Sequence, residues 1–380
     1  MHYAIVTETW HPEVNGVALT VQALRSGLRR RGHRVTVIRP CQHRGQRAAG
    51  HELLVPGLPV PRYPGLRFGL GAGRRLRDAW SADRPDAVYI ATEGPLGWSA
   101  LRAARRLSIP VASAVHTRFD LYMRDYGLAW LEPLALRGMR RFHNRADATI
   151  TPTLELERFL RDCGFGKLRR LARAVDSGRF DPALRDHDLR KAWGVGRDEV
   201  AAIHVGRIAA EKNLEVAVRA FRELQAHRPL ARMVWVGDGP LRAALERDNP
   251  DFIFCGTRRD ADLARHFASA DLFLFPSRTE TFGNVTLESM ASGIATVAFD
   301  SGAAREHLAD GVHGACVNGD AEFIEATVRI GCHDALRRAM GARAREAVVD
   351  LHPDRVAAEF DALLRGLAAT EEHHASIAAA

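Results

Sequence analysis

Short apolar runs alternate with amphipathic stretches along the whole chain. In the first half the apolar runs predict strands at 2–7, 34–39, 86–91, 110–115 and 147–150. In the second half they predict strands near 200–206, 232–237, 252–255, 271–275 and 295–298. Between them, stretches such as 17–31 and 214–227 carry apolar residues at the spacing of one helix face. Strands that are apolar without interruption are buried on both faces, the mark of a parallel sheet covered by helices. Two such series in tandem predict an α/β protein of two doubly wound domains. The turn-rich "RAVDSGRFDPALRD" places the boundary near 172–185. The Pro- and Gly-rich stretch 51–73 reads as a long loop, and the tail "HHASIAAA" as disordered. There is no sequence repeat at a solenoid period.

Composition changes this picture in three ways. A chain of 380 residues has room for two separate cores. No apolar run approaches the roughly 20 residues of a membrane helix, and "MHYAIVTE" enters a strand without a basic leader, so no signal peptide is expected. Five scattered cysteines with no Cys-x-x-Cys pair argue for a reducing cytoplasm and against a zinc site or disulfide framework. The net charge of +8 hides an asymmetry: residues 1–172 hold 28 Lys+Arg against 14 Asp+Glu, so +14, and the remainder sums to −6. The first half is the expected face for an anionic surface.

Ligands of doubly wound sheets sit at the carboxyl ends of strands. After the strand near 200–206, "GRIAAEKN" puts Arg207 and Lys212 beside a helix opened by Asn213. Two cations at a helix start suit a diphosphate. "VWVGDGP" offers Asp238 as a helix cap before Pro240. Gly256, Thr257 and Arg258 stand at the next strand end, where backbone groups suit the edge of a nucleobase. The last site strand empties into "SRTETFGNVTLESMASG". Here Glu280 and Glu288 flank Phe282, Gly283, Asn284 and Val285, a strip of amide donors at a helix start. Acceptor, donors, acceptor is the order a nucleotide sugar needs, with carboxylates meeting hydroxyls and amides meeting diphosphate. In the first half, His116 stands just past the strand 110–115. Thr117, Arg118 and Asp120 follow it as acceptor-side candidates, joined by Glu8 and Glu13 in the first loop.

These elements resemble the retaining glycosyltransferases of family four, with the GT-B fold. "ETFGNVTLE" is similar to the family's E-x7-E element, "GRIAAEKN" to its basic element, and "ETWHPEVNGV" to its first-strand loop. "AVDSGRFDP" looks like its G-V-D-x-x-x-F-x-P linker, with Ala174 where glycine is usual. The resemblance spans nearly the whole chain. It implies two Rossmann-like domains facing across a cleft, with the last helix crossing back to the first domain. The first domain is then 1–172 plus about 352–380 and takes the acceptor, and 173–351 takes the nucleotide sugar. By resemblance Arg207 and Lys212 hold the donor diphosphate, Glu288 the ribose, Glu280 the sugar hydroxyls, and His116 lies against the donor sugar. Gly16 brings its backbone to the diphosphate.

The implied activity is transfer of a mannose- or glucose-type hexose from GDP-mannose, UDP-glucose or UDP-glucuronate, with no tightly bound cofactor and no metal. Retention is expected by front-face attack. A lipid acceptor is expected because "HTRFDLYMRDYGL" resembles enzymes acting on lipids. Basic-plus-apolar segments at 62–77 and 130–145 suit an anionic membrane surface. The expected place is therefore the cytoplasm or, peripherally, the inner face of the cell membrane. Rival readings are a nucleotide-sugar epimerase on the same fold, a transferase to a soluble acceptor, an exported two-lobed solute-binding protein, and a nucleic-acid binder. The absent leader and the sparse aromatic interleaving oppose the last two. Oligomeric state is unassigned.

Overall fold

The computed structural model describes residues 1–10, 16–43, 45–59, 67–116, 130, 132–278 and 280–379. The chain folds into two compact units, Met1–Arg173 with Pro353–Ala380, and Ala174–His352.

The first unit is built on seven parallel strands. In chain order they are β1 (His2–Val6), β2 (Arg34–Pro40) and β3 (Glu52–Val55); then, after a small antiparallel hairpin of β4 (Gly57–Pro59) and β5 (Arg67–Gly69), β6 (Ala87–Ile90), β7 (Val111–Ala114), β8 (Ala148–Thr151) and β9 (Leu168–Arg170). The sheet order is β3-β2-β1-β6-β7-β8-β9, so the winding reverses between β1 and β6. All five residues of β1 are buried, which is why that strand reads as an unbroken apolar run.

The second unit repeats the plan with β10 (Ala201–Val205), β11 (Arg232–Val236), β12 (Ile253–Gly256), β13 (Leu272–Phe275), β14 (Ala295–Phe299) and β15 (Gly314–Val317). Their order is β12-β11-β10-β13-β14-β15, with the reversal between β10 and β13. The helix Leu214–His227 buries Leu214, Ala217, Phe221 and Leu224 on one face, at the spacing the sequence shows.

The structure corrects three expectations. The stretch 51–73 is not one loop: it contains β3, β4, β5 and the start of the helix Ala72–Ala82. β3 escaped notice because it is a four-residue edge strand cut off by Pro56, carrying Glu52 to a buried ion pair with Arg39 at 2.9 Å. The tail is not unstructured, because the helix from Pro353 runs to Ala379. Its Ala-rich end favours continuing a helix already begun. Asp238 is not a helix cap. It accepts from the Gly239 amide and from Arg242, and the helix starts later, at Arg242.

The last helix belongs to the first unit and is bolted there. A side chain at Gly27 would run into Ala357, so the bare backbone lets the helices Gly16–Arg30 and Pro353–Ala379 meet closely. Asp361, 1% exposed, takes hydrogen bonds from the Tyr3 hydroxyl at 2.9 Å and from His33 Nε2 at 2.9 Å, and ion pairs with Arg31 and Arg365. Burial pushes its carboxyl up, but these donors outweigh burial and hold it at about 2.

Candidate active site

In the second unit, the carboxyl ends of β10 and β13 lie side by side at the point where the winding reverses. Lys212 lies in the loop after β10 and Glu280 in the loop after β13. They meet there as an ion pair, 21% and 13% exposed. A turn of 3₁₀ helix, Ala210–Lys212, delivers the lysine, and Asn213 follows in a left-handed conformation at φ 53° that opens the helix Leu214–His227. The Asn213 side-chain amide is buried and has no acceptor. Arg207 is half exposed and pairs with Glu211 at 3.3 Å, so it stands on the solvent side of the same loop.

The loop is held by close backbone approach. A side chain at Gly237 would run into the Gly206 carbonyl, and one at Gly239 into that of Ile208. The "GDG" turn after β11 is therefore a packing element for the basic loop. Beneath it, His204 bonds from Nδ1 to the Leu274 carbonyl at 3.1 Å, tying β10 to β13. Burial lowers its pKa to about 4, so the ring stays neutral.

After β13 the chain turns through Gly283, φ 84°, and starts the helix Asn284–Ala291. Phe282 is buried and its carbonyl accepts from the Ala303 amide at 2.6 Å, fixing the turn. Gly283, Asn284 and Val285 are partly exposed at this helix start, whose first amides have no partner within the helix. Glu288 follows one turn in. Its Oε2 is buried with no hydrogen-bond partner. Burial pushes its pKa up to about 7, and the positive charge of Arg179 tempers the rise. Arg345 locks the linker against this helix, donating to the carbonyls of Ala291 at 2.6 Å and Phe180 at 3.0 Å and to Asp181 at 2.6 Å. Gly256 ends β12 at φ 68°, with Thr257 exposed beside it.

The strand ends of the first unit look different. His116 follows β7, with the Tyr89 hydroxyl 2.9 Å from Nε2 and an Arg173 guanidinium nitrogen 2.5 Å from Nδ1. Burial, then Arg173, then His143 push its pKa well below the usual range. Arg173 itself is drawn down to about 10 by burial. With the guanidinium donating to Nδ1, the neutral ring carries its proton on Nε2, so His116 is a fixed hydrogen-bonding group rather than a proton carrier.

Glu8, after β1, turns inward. Its Oε1 accepts from the amides of Gly69 at 3.2 Å and Leu96 at 3.0 Å, pinning the start of the helix Pro95–Arg106. Burial raises it to about 6 against the pull of those amides. Glu93, after β6, is raised to about 7, first by burial and then in part by Glu8 nearby, and its Oε1 is buried without a partner. Gly16 begins the first helix. Glu13, Thr117, Arg118 and Asp120 lie outside the described residues.

The structure thus brings Lys212, Glu280 and the helix start carrying Glu288 together in one unit. Sequence reasoning missed Glu93, Tyr89, Arg173, His204 and Arg345. Glu93 was the one with a signal, since "ATEGP" sets a carboxylate between a strand and a Gly-Pro helix start, the format used to pick the other sites. Among the described residues no cluster of His, Cys, Asp and Glu has the makings of a metal site.

Comparison with known proteins bears on what this site does. Two family models match: "Glycosyltransferase Family 4" over residues 14–179 and "Glycosyl transferases group 1" over residues 199–331. A GDP-mannose-dependent alpha-mannosyltransferase of Mycolicibacterium smegmatis is 34% identical over 357 residues, covering 92% of this chain and 93% of that protein. An alpha-monoglucosyldiacylglycerol synthase of Streptococcus pneumoniae is 25% identical over 86% of this chain and 77% of that protein. Among solved structures, sucrose-phosphate synthase from Thermosynechococcus elongatus shares the fold, with a TM-score of 0.81 at 19% identity, covering 97% of this chain and 99% of that one.

Proposed function

The chain belongs to the family 4 glycosyltransferases, of the GT-B fold, and we propose that it moves mannose from GDP-mannose, with retention, to a hydroxyl of a membrane lipid or lipid-linked glycan. One observation carries the donor reading. Lys212 and Glu280 meet where the winding of the second sheet reverses, beside a helix start that leads to Glu288, whose buried oxygen lacks a partner. Buried polar atoms are normally paired, so a ligand hydroxyl is the natural partner of that oxygen. The 34% identity to a GDP-mannose-dependent enzyme over 92% of the chain supports the choice of base and sugar.

In this reading the second unit takes the donor and the first the acceptor. Lys212 and Arg207 turn from their carboxylates to the diphosphate, and the amides of Gly283, Asn284 and Val285 add donors. Glu288 accepts from the ribose and Glu280 from the sugar hydroxyls. Gly256 and Thr257 edge the base. The anomeric C–O bond to the diphosphate breaks as the acceptor oxygen bonds to the same face of the carbon. The departing phosphate oxygen takes the acceptor proton, leaving GDP and the glycoside. Charge on the leaving group is met by side chains and amides, so turnover proceeds without a divalent metal.

The acceptor reading rests on the first unit's surface. Trp130 is 75% and Leu134 65% exposed at the start of the helix Glu132–His143, with exposed Arg137 one turn further on. Leu58, Phe68 and Leu70 are exposed around the hairpin of β4 and β5, near Arg74 and Arg75. Such patches suit an anionic bilayer, with each arginine contributing about 1 kcal/mol. No helix among the described residues is long and apolar enough to cross a membrane.

The test is transfer of labelled mannose from GDP-mannose to a lipid extract in excess chelator. Labelled glycolipid is the expected product. Labelled free mannose or isomerised donor alone points to an epimerase, label only in water-soluble glycoside points to a soluble acceptor, and turnover that returns only with added magnesium or manganese overturns metal independence.

A further inference from the structure

The five arginines Arg102, Arg105, Arg106, Arg141 and Arg145 converge on Trp98 around an open depression of about 520 Å³ in the first unit. Among the described residues none of the five pairs with a carboxylate. In the second unit, by contrast, Arg190, Arg222, Arg228, Arg305, Arg337 and Arg345 each hold an acidic partner. Like charges gathered without counter-charge repel one another, so something must hold them in place. Trp98 does part of this, with the guanidinium of Arg102 5.6 Å and that of Arg145 5.8 Å from its ring centre. Arg105 donates to the Arg145 carbonyl at 3.1 Å, and Arg145 to the Arg141 carbonyl at 3.2 Å. The negative ends of two helices, Pro95–Arg106 and Glu132–His143, do the rest.

The topology sets this cluster apart from the strand ends that carry His116 and Glu93. The helix Pro95–Arg106 leaves the carboxyl end of β6 and returns the chain to the start of β7. Its last turn therefore lies at the opposite edge of the sheet, roughly 18 Å along the helix from its first turn. Arg141 and Arg145 reach the same edge, at the end of the helix Glu132–His143 and just before β8. Trp130 and Leu134, by contrast, lie at the start of that helix.

From this we infer a second anion site in the first unit: the Trp98 cradle takes a compound bearing phosphate with at least two negative charges. Forked guanidiniums match phosphate oxygens in pairs, which lysines cannot do. The depression falls within the 300–1,000 Å³ usual for small-molecule sites, ample for a diphosphate and its ester. Its place at the edge away from Trp130 and Leu134 favours a soluble phosphate compound over a lipid headgroup. The inference does not depend on the donor chemistry or on membrane docking.

Calorimetric titration with inorganic pyrophosphate tests it, with GDP held at saturation to occupy the donor site. The key variant is Arg102→Ser, Arg106→Ser, Arg141→Ser, three side chains that donate no hydrogen bond within the described structure. The wild type should bind one pyrophosphate, and the triple variant should bind it at least 30-fold more weakly with an unchanged thermal midpoint. An Arg137→Ser, Arg140→Ser control should stay within threefold of wild type. In a parallel arm, co-sedimentation with vesicles containing phosphatidic acid identifies the source. Loss there but not with pyrophosphate keeps the cradle and assigns it to a lipid headgroup. Equal binding by wild type and triple variant in both arms overturns the proposal, as does binding in neither arm.

Discussion

The two units share a plan and differ in charge state at their strand ends. In the second, the polar groups around the β10/β13 reversal include fixed charges: Lys212 on Glu280, and Arg207 on Glu211. In the first, Glu8 is buried and Glu93 and His116 are partly buried at the ends of β1, β6 and β7, and the loss of water around them pushes each toward its neutral form. The same topology therefore offers one end suited to a departing diphosphate and one suited to an uncharged hydroxyl compound. The difference lies in which residues follow the strands, not in the sheets.

The charged end is the place to expect the largest effect. Glu280→Gln keeps the size of the side chain but removes the charge facing Lys212 and, in the proposed role, weakens the hold on sugar hydroxyls. Turnover should fall by roughly 100- to 1,000-fold, the range seen when one preorganised transition-state contact is lost, with a smaller change in KM. Steady-state kinetics with GDP-mannose checks this, and kcat and KM both within twofold of wild type remove Glu280 from the sugar.

Next comes the neutral end. Glu93 holds its proton up to about pH 7 when folded, above the ordinary 4.5. Between these values the folded chain binds a proton the unfolded chain has released, so stability declines as pH rises through the window. Glu93→Gln cannot ionise and should remove that share of the decline, worth at most ~3 kcal/mol. Urea unfolding at pH 5 and pH 8 measures it. A variant whose gain at pH 8 does not exceed its gain at pH 5 shows that Glu93 is not held neutral.

The smallest effect concerns His116. Both ring nitrogens are already engaged, by Tyr89 and Arg173. His116→Gln should cost turnover about tenfold or less, in the range of one lost hydrogen bond, and leave the shape of the pH–rate profile unchanged. Disappearance of a limb of that profile in the variant makes His116 a proton carrier after all.

Much of this was legible in the sequence, and the limits have physical causes. Central strands such as β1 and β13 are buried on both faces, so their apolar runs announce them. The edge strands β3, β9 and β15 are three or four residues long and carry Glu52, Arg169 or Gly314 within them, so no run appears. Lys212, Glu280 and Glu288 could be singled out because chemistry-bearing residues follow strands that are themselves evident. Arg173 and Arg345 could not, since nothing local separates a buried arginine from the many exposed ones. Glu8 stands in the sequence where an acceptor-side group is expected, yet its carboxylate turns inward to pin a helix start, a direction that depends on Gly69 and Leu96 far along the chain.

The account stands most directly on Lys212 as the diphosphate's cation. Calorimetric titration of GDP into wild type and Lys212→Ala, in chelator, measures it with no acceptor required. Loss of one charge-assisted contact predicts affinity about 10- to 150-fold weaker in the variant. GDP affinities within twofold of each other would contradict the assignment of the charged end to the donor.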